Sequence, residues 1–377
     1  MAAVSADDPV AGYTHNFYKY PARFSPIFVR HMIRSFSRPG EVVFDPFMGG
    51  GTTIIEALAM GRKALGVDLN TLAHFVTTVK TSPLSVSDTN LILSWLQDTL
   101  DSSRRGIADD AADIKNLPWN LQRAWGDLIA QINWLPLERQ RRFLRCALLN
   151  TGQWAIDCKD AVPSAKKCLE YFEQQVRTMI LQVEELVSAC RAQGIKKNQI
   201  RGNRLLLCRS TAGMEAESKL KQMSKPTLVV TSPPYAGVHI LYHRWQIQGR
   251  RETAAPYWIA AQKDGHSTSH YTFGSRSALG VENYFRNVKE TFASVRKVVA
   301  KDALIVQLVA FSNARTQLPR YLEAMELAGF QECRHSTRHD SRLSRDVPNR
   351  KWYCLDGQDS AKELVLFHRP SKCMPSH

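Results

Sequence analysis

The chain has 377 residues, 44% hydrophobic and 23% charged, the make-up of a soluble globular protein long enough for one main domain with an inserted subdomain. Lys and Arg outnumber Asp and Glu 50 to 35, a formal charge of +15; a polyanionic partner accounts for that excess, since each phosphate contact releases counterions, and a basic surface kept for solubility is the alternative. No apolar run approaches membrane-spanning length, and Met1 to Val10 lacks the basic-then-apolar layout of a signal peptide, so a cytoplasmic protein and no membrane partner are expected.

In chain order, the aromatic and basic stretch from Tyr13 to Phe24 has neither helix nor strand period, and reads as a packed loop or a ligand wall. Ser25 as N-cap with Pro26 at the first helical position starts a helix running to about Phe36. Residues 41–45 form a short buried strand, followed by Pro46-Phe47-Met48-Gly49-Gly50-Gly51-Thr52-Thr53 and a helix through Met60. Three consecutive glycines between strand and helix let the backbone approach a ligand, while free N–H groups and the helix dipole favour a negative group there. Residues 63–67 give a second strand ending in Asp68-Leu69-Asn70, and a carboxylate about 20 residues past such glycines is where nucleotide-binding α/β folds hold ribose hydroxyls. The lysine of a phosphate loop is missing, which disfavours ATP hydrolysis.

From 84 to 194 the chain reads as helical, over 90–100, 120–132, 137–149 and 165–191. The last places Leu169, Phe172, Val176, Met179, Val183 and Leu186 at three- and four-residue steps, as in a bundle helix packing on its neighbours, and Gly194 supplies the stop. After a strand at 204–208, Val229-Val230-Thr231 runs into Ser232-Pro233-Pro234-Tyr235, a buried strand stopping at a rigid turn. That turn presents a hydroxyl, a main-chain carbonyl and a ring face, which suits a flat heterocycle with an amino group; an ordinary surface loop is the alternative. Such an amine is a poor nucleophile until acceptors hold both N–H bonds and aim its lone pair outward. Ser232 and the Pro233 carbonyl are candidates, on a geometry the prolines fix in advance.

Residues 236–280 interleave Arg244, Arg250, Arg251, Lys263 and Arg276 with His239, Tyr242, His243, Trp245, Tyr257, Trp258 and Tyr271. The mixture suits phosphate contacts and stacking on unpaired bases, or a folded cap with a small aromatic core. A helix at 281–299, a strand at 302–309, a helix at 318–327 and a strand at 363–367 continue a doubly wound sheet. The loop carrying Arg334, His335, Arg338, His339, Arg342, Arg345, Arg350 and Lys351 against Asp340 and Asp346 reads as a backbone-binding edge or a solvated loop. The eight cysteines show no CxxC or zinc spacing and are expected to be reduced and structural; none follows a proline, as a nucleophile for a pyrimidine ring carbon would. With no HExxH and no Cys/His cluster among the 11 histidines, no metal site is expected.

Two stretches carry a resemblance. Asp45-Pro46-Phe47-Met48-Gly49-Gly50-Gly51-Thr52-Thr53 matches a DPFxGxGTT signature, and Thr231-Ser232-Pro233-Pro234-Tyr235 matches the signature of Ser, Thr, Asp or Asn before Pro-Pro-Tyr/Phe. Together they resemble the S-adenosylmethionine-dependent DNA amino-methyltransferases over about 13–80 and 200–370. The resemblance implies an α/β, doubly wound, mostly parallel seven-stranded sheet of the methyltransferase (Rossmann-like) type with a helical insertion. Its expected division is a cofactor half at 13–83, an insertion at 84–199 that reads DNA or buttresses the core, and a catalytic half at 200–370.

It further implies S-adenosyl-L-methionine held by Tyr20, Ala22 and Phe24, by Asp45, Pro46, Phe47, Gly49, Gly51, Thr52 and Thr53, and by Asp68 and Asn70, with no metal. Ser232, Pro233, Pro234 and Tyr235 would be catalytic, and Tyr242, His243, Arg244, Arg250, Arg251, Arg338, Arg342 and Arg345 would contact DNA. The implied reaction is site-specific methylation of a base flipped out of double-stranded DNA, with a cognate restriction endonuclease or other defence protein as a further partner. Serine first in the turn is associated in the family with cytosine N4, Asp or Asn with adenine N6, so cytosine is favoured. Arg209-Ser210-Thr211 stands where the family usually carries an acid that contacts the cofactor's adenine. Adenine-N6 methylation, RNA base amino-methylation and a non-catalytic DNA-binding subunit are the alternatives; the last would be expected to lose its glycines or its Ser-Pro-Pro-Tyr, and both are intact.

Overall fold

The structure, a computed structural model, describes residues 11–20, 24–101, 114–235, 244–249, 251–263, 273–274, 277–333, 342–347 and 361–371. Ala22, Tyr242, His243, Arg250 and Arg338 lie outside the described residues, as do most of the basic loop near 340 and the side chain of Arg345.

Helix α1 (Pro26–Phe36) starts where Ser25 caps the Phe28 amide and Pro26 presets φ. Strand β1 (Val42–Asp45), helix α2 (Thr52–Ala59), strand β2 (Lys63–Asp68) and helix α3 (Thr71–Lys80) follow. Among the described residues the insertion is four helices, α4 (Val86–Asp101), α5 (Trp119–Asn133), α6 (Glu138–Ile156) and α7 (Ala165–Ala192). Then come β3 (Arg204–Cys208), β4 (Leu228–Thr231), a hairpin of β5 (Trp245–Ile247) and β6 (Arg251–Thr253), and α8 (Ala255–Ala260). The chain closes with α9 (Ala278–Val298), β7 (Leu304–Ala310), α10 (Ala314–Leu327), β8 (Phe330–Glu332), β9 (Leu343–Val347) and β10 (Ala361–Pro370).

The main sheet runs β3-β2-β1-β4-β7-β10-β8, with β9 also pairing β10. Its first five strands are mutually parallel, while β10 is antiparallel to β7, β8 and β9. This is a doubly wound, mostly parallel α/β sheet of eight strands. The resemblance implied seven strands; the sequence reading placed neither β8, which is three residues long, nor β9, whose charged Arg345 and Asp346 give no strand period. Helix α10 begins a turn before the expected start at 318, where the Asn313 side chain accepts from the Thr316 amide, and it carries Pro319 in its interior.

Parallel strands buried on both faces are continuous apolar runs, as β1, β4 and β7 are. The insertion packs onto helices α2 and α3 that flank the sheet. Along α7 the residues Phe172, Val176, Met179, Val183 and Leu186 are buried, each contributing roughly 1.5–3 kcal/mol of apolar burial, and Cys190 Sγ donates to the Leu58 carbonyl of α2 at 3.4 Å. Helix α6 grips the N-terminal segment: Asn150 Nδ2 donates to the Asn16 carbonyl at 2.9 Å, and Gln153 both accepts from the Lys19 amide and donates to its carbonyl at 2.9 Å. That segment is also fastened to α2, where buried Glu56 takes His15 Nε2 at 2.9 Å and Arg30 Nε at 2.8 Å. Among the described residues, no helix is long and apolar enough to cross a membrane.

The hairpin is joined to the same body. Cys158 N donates to the Gln246 carbonyl at 2.7 Å, Gln248 N to the Lys159 carbonyl at 3.0 Å, and Trp245 Nε1 to Tyr18 Oη at 3.1 Å. Gly152 of α6 leaves room for the Trp245 ring, which a Cβ there would overlap. Gly152→Ala is therefore expected to lower folding stability by about 1–3 kcal/mol, read as a lower urea midpoint; an unchanged midpoint would show that this packing is slack.

Candidate active site

Strands β1 and β4 are parallel neighbours, with Val43 opposite Leu228 and Phe44 opposite Val229. The chain order reverses between them, since β1 leads outward to β2 and β3 while β4 leads to β7. In open α/β sheets such a reversal leaves a crevice outside the carboxyl ends of the strands, where ligands bind. The glycine loop leaves β1 at that point and the Ser-Pro-Pro-Tyr turn leaves β4.

Buried side chains fasten the two loops at their roots. Thr231 Oγ1 donates to Asp45 Oδ1 at 2.7 Å, the Phe47 amide donates to the same oxygen at 3.1 Å, and Thr53 Oγ1 donates to the Val230 carbonyl at 3.3 Å. Burial pushes the Asp45 carboxyl up to about 6, against the opposing effect of the Thr231 hydroxyl and the Phe47 amide. Asp45 and Thr53 thus spend their side chains inside the protein.

Gly51, at φ 80°, is the N-cap of α2, and no side chain caps that helix, so its first amides face outward from the loop. A Cβ on Gly50 would come within 2.7 Å of Tyr20 Cβ, and one on Gly51 within 2.7 Å of the Thr77 side chain. The close approach these glycines permit is therefore in part that of the protein's own Tyr20 and Thr77. From behind, Thr77 Oγ1 donates to the Gly49 carbonyl at 3.0 Å, and buried Lys80 Nζ donates to the Gly50 carbonyl at 2.9 Å and to the Tyr18 carbonyl at 3.4 Å. Asp68 anchors the loop from β2, accepting the Gly49 amide at 2.9 Å on Oδ2 and the Asn70 amide at 2.8 Å on Oδ1. Each oxygen keeps a further lone pair. Burial raises this carboxyl to about 6, opposed by the Asn70 and Gly49 amides.

The other residues singled out around the loop serve neighbouring elements. Asn70 Oδ1 caps α3 through the Leu72 and Ala73 amides at 2.7 and 3.1 Å, and its Nδ2 donates to Tyr257 Oη at 2.8 Å. The Pro46 carbonyl accepts from Thr211 Oγ1 at 2.6 Å, Phe47 meets Phe273 edge to face at 5.3 Å, Phe24 packs on Phe28 at 5.5 Å, and Thr52 is buried at the start of α2. Past β3, the Arg209 guanidinium donates to the Gly213 carbonyl at 3.0 Å.

In the turn, Ser232 Oγ donates to Tyr235 Oη at 3.2 Å, and Tyr235 Oη donates to Glu363 Oε1 at 2.9 Å. Tyr284 Oη of α9 donates to the Pro234 carbonyl at 3.0 Å, and Pro233 is buried. Sequence reading missed Glu363, Tyr284 and Lys80, which no local pattern marks: Glu363 follows Lys362 and Lys80 is the last residue of its helix.

Of the arginines expected at DNA, Arg251 is exposed, Arg244 stands 4.0 Å from Glu252, and Arg342 is held by Glu332 through two bonds of 2.7 and 2.9 Å. Trp245 and Tyr257 are buried and build core rather than a stacking surface, while Trp258 is half-buried. Among the described residues, no cluster of three His, Cys, Asp or Glu could hold a metal ion.

A family model described as DNA methylase matches residues 6–76. The type II methyltransferase M.MjaII of Methanocaldococcus jannaschii is 24% identical over 98 residues, 26% of this chain and 18% of that protein. M.MvaI of Kocuria varians, also a type II methyltransferase, is 30% identical over 108 residues, 28% of this chain and 24% of its own length. The DNA adenine methyltransferase YhdJ of Escherichia coli is 35% identical over 65 residues, 17% of this chain and 22% of that protein. The chain thus matches under a quarter of the length of each of these three relatives.

Because Asp45 titrates near 6 when folded and near 3.8 when unfolded, its stabilising contribution is full below the lower value and is lost as pH rises through the upper one. Asp45→Asn keeps an acceptor for Thr231 without the charge. Its stability relative to the unsubstituted protein should rise by roughly 2 kcal/mol between pH 4 and pH 8 in urea melts; parallel pH profiles would rule out a raised Asp45.

Proposed function

We propose that the chain transfers the methyl group of S-adenosylmethionine to the exocyclic amine of a base in double-stranded DNA, cytosine N4 in preference to adenine N6. The observation that carries this reading is the 2.7 Å bond from Thr231 to Asp45, which seats the glycine loop and the Ser-Pro-Pro-Tyr turn at one crevice. The family match over 6–76 and the DNA methyltransferases among the relatives support it.

The residues present suit the cofactor. Asp68 has lone pairs left over for ribose hydroxyls, the uncapped start of α2 suits a carboxylate, and Tyr20 closes the glycine loop on one side. When bound, it supplies a sulfonium methyl already activated for transfer, so no covalent intermediate with the protein is needed. The chain's part is to position and polarise one amine. Ser232 Oγ and the Pro233 carbonyl accept its two N–H bonds and turn its lone pair outward, while the Tyr235 ring stacks on the base at roughly 1–3 kcal/mol. The base must leave the duplex to reach the turn, and contacts to the backbone offset a cost of a few kcal/mol.

Exposed Arg251, with Arg244, Tyr242, His243, Arg250, Arg338, Arg342 and Arg345, remains the proposed source of those contacts. Residues 13–83 and 200–370 would be the two halves of the enzyme. The insertion at 84–199 would join recognition to the buttressing it performs. Adenine N6 is the second reading, favoured by the adenine methyltransferase among the relatives; a cognate restriction endonuclease or defence protein is the partner implied by the type II relatives.

Ser232→Ala should lower turnover on the order of a hundredfold with cofactor affinity unchanged by calorimetry; equal turnover removes Ser232 from the mechanism. Cofactor affinity should be flat above neutral pH and weaken as pH falls through about 6, where Asp68 takes up its proton, by at most about tenfold per unit. A flat profile down to pH 5 would leave Asp68 without the role given it. Mass spectrometry of DNA from cells expressing the chain should find N4-methylcytosine; N6-methyladenine would favour the second reading, and neither base would contradict both.

A further inference from the structure

Ser232 can receive an amine proton only if its own hydroxyl hydrogen points elsewhere, and the structure supplies a reason why it does. Tyr235 has one hydroxyl hydrogen, donated to Glu363 Oε1 at 2.9 Å. The 3.2 Å contact between Ser232 Oγ and Tyr235 Oη must then run from serine to tyrosine. A carboxylate only accepts, so an ionised Glu363 fixes the direction of the whole chain. Ser232 is left with its hydrogen committed inward and its lone pairs uncommitted by this chain. Without the carboxylate, Tyr235 could donate to Ser232 instead and take up one of those lone pairs.

The placement of Glu363 is rigid. It lies in β10, 2% exposed, and its main chain is paired with Ala310 of β7 on one side and Arg345 of β9 on the other. Strand β7 is in turn the neighbour of β4, from which the turn springs. Two further contacts keep the turn in register with this support: buried Pro233 and the Tyr284 bond to the Pro234 carbonyl at 3.0 Å. The tether through its hydroxyl also fixes the tilt of the Tyr235 ring. Nothing about a merely structural carboxylate requires its donor to be the residue meant to stack on the base.

We infer that Glu363 is a positioning residue for the target amine: through Tyr235 it sets the polarity of the Ser232 hydroxyl, so that Ser232 meets the amine as an acceptor. The inference rests on the methyl-transfer reading above. Glu363 touches neither base nor cofactor in this account and acts through Tyr235 alone.

The test is a double-mutant cycle on the full chain with duplex DNA and S-adenosylmethionine. Tyr235→Phe, which keeps the ring, and Glu363→Leu should each lower kcat on the order of tenfold to a hundredfold, with KM for DNA and the calorimetric affinity for the cofactor unchanged. The doubly substituted protein should be no slower than the slower single variant, because both changes break the same chain. Should Glu363→Leu fail to fold, the cycle of Tyr235→Phe with Ser232→Ala serves: once Ser232 is gone, losing the tyrosine hydroxyl should have no further effect on kcat. An active unsubstituted protein with an equally active Tyr235→Phe variant, or multiplying losses in the double variants, overturns the inference alone. An unsubstituted protein that binds cofactor but methylates no DNA overturns the methyl-transfer reading, and this inference with it.

Discussion

The hydrogen bond from Thr231 to Asp45, 2.7 Å long and shut away from water, ties the last residue of one buried strand to the last residue of its parallel neighbour. Strands this apolar carry no side chain to specify what happens past their ends, so the ends themselves must be joined. A polar pair in such a place is tolerated because each member satisfies the other, and the Phe47 amide completes the set. What hangs from the two ends, a glycine loop and a proline turn, is thereby kept side by side.

Around that joint the molecule is built inward from three distant parts of the chain. The N-terminal segment lies against the glycine loop through Tyr20 and is held by Lys80, Gln153 and Glu56. The insertion supplies α6 and α7 as a floor beneath it. The hairpin and α8 close from the other side through Trp245 to Tyr18 and Tyr257 to Asn70. In effect the crevice has one wall from each part, and polar contacts join those walls where they meet. This division explains why so many side chains near the glycine loop are occupied with the protein itself. Asp68 stands apart, because it organises the loop and still has acceptor capacity left over.

Much of this was legible in the sequence, unevenly and for physical reasons. The cap at Ser25, the strand ending at Asp45, the helix from Ala165 and the strand from Arg204 each rest on local signals, namely a capping residue, an apolar run or a helical stripe, and local signals survive folding. The short strands β5, β6, β8 and β9 were not legible, because three to five residues carry too little periodicity and their pairing is decided by what lies beside them. The site divides in the same way. Residue types around the glycines and the double proline announce themselves, whereas Asn70, Thr53 and Asp45 turn out to spend their side chains on caps and ties that only tertiary contact reveals. Glu363 is far from the turn in sequence and, beside Lys362 at the start of its strand, carries no local signal. The mixed basic and aromatic stretch after the turn is the instructive ambiguity: composition allowed a nucleic-acid surface or a small core, and for Trp245 and Tyr257 burial decides for the core.

Whether the two loops border one reaction cleft would be seen in a crystal structure of the chain with a non-reactive analogue of S-adenosylmethionine. Ribose hydroxyls are expected on Asp68, the amino-acid end at the start of α2, and the sulfur position opening toward Ser232 and the Pro233 carbonyl. An analogue bound elsewhere, or one whose sulfur faces away from the proline turn, would contradict a shared cleft.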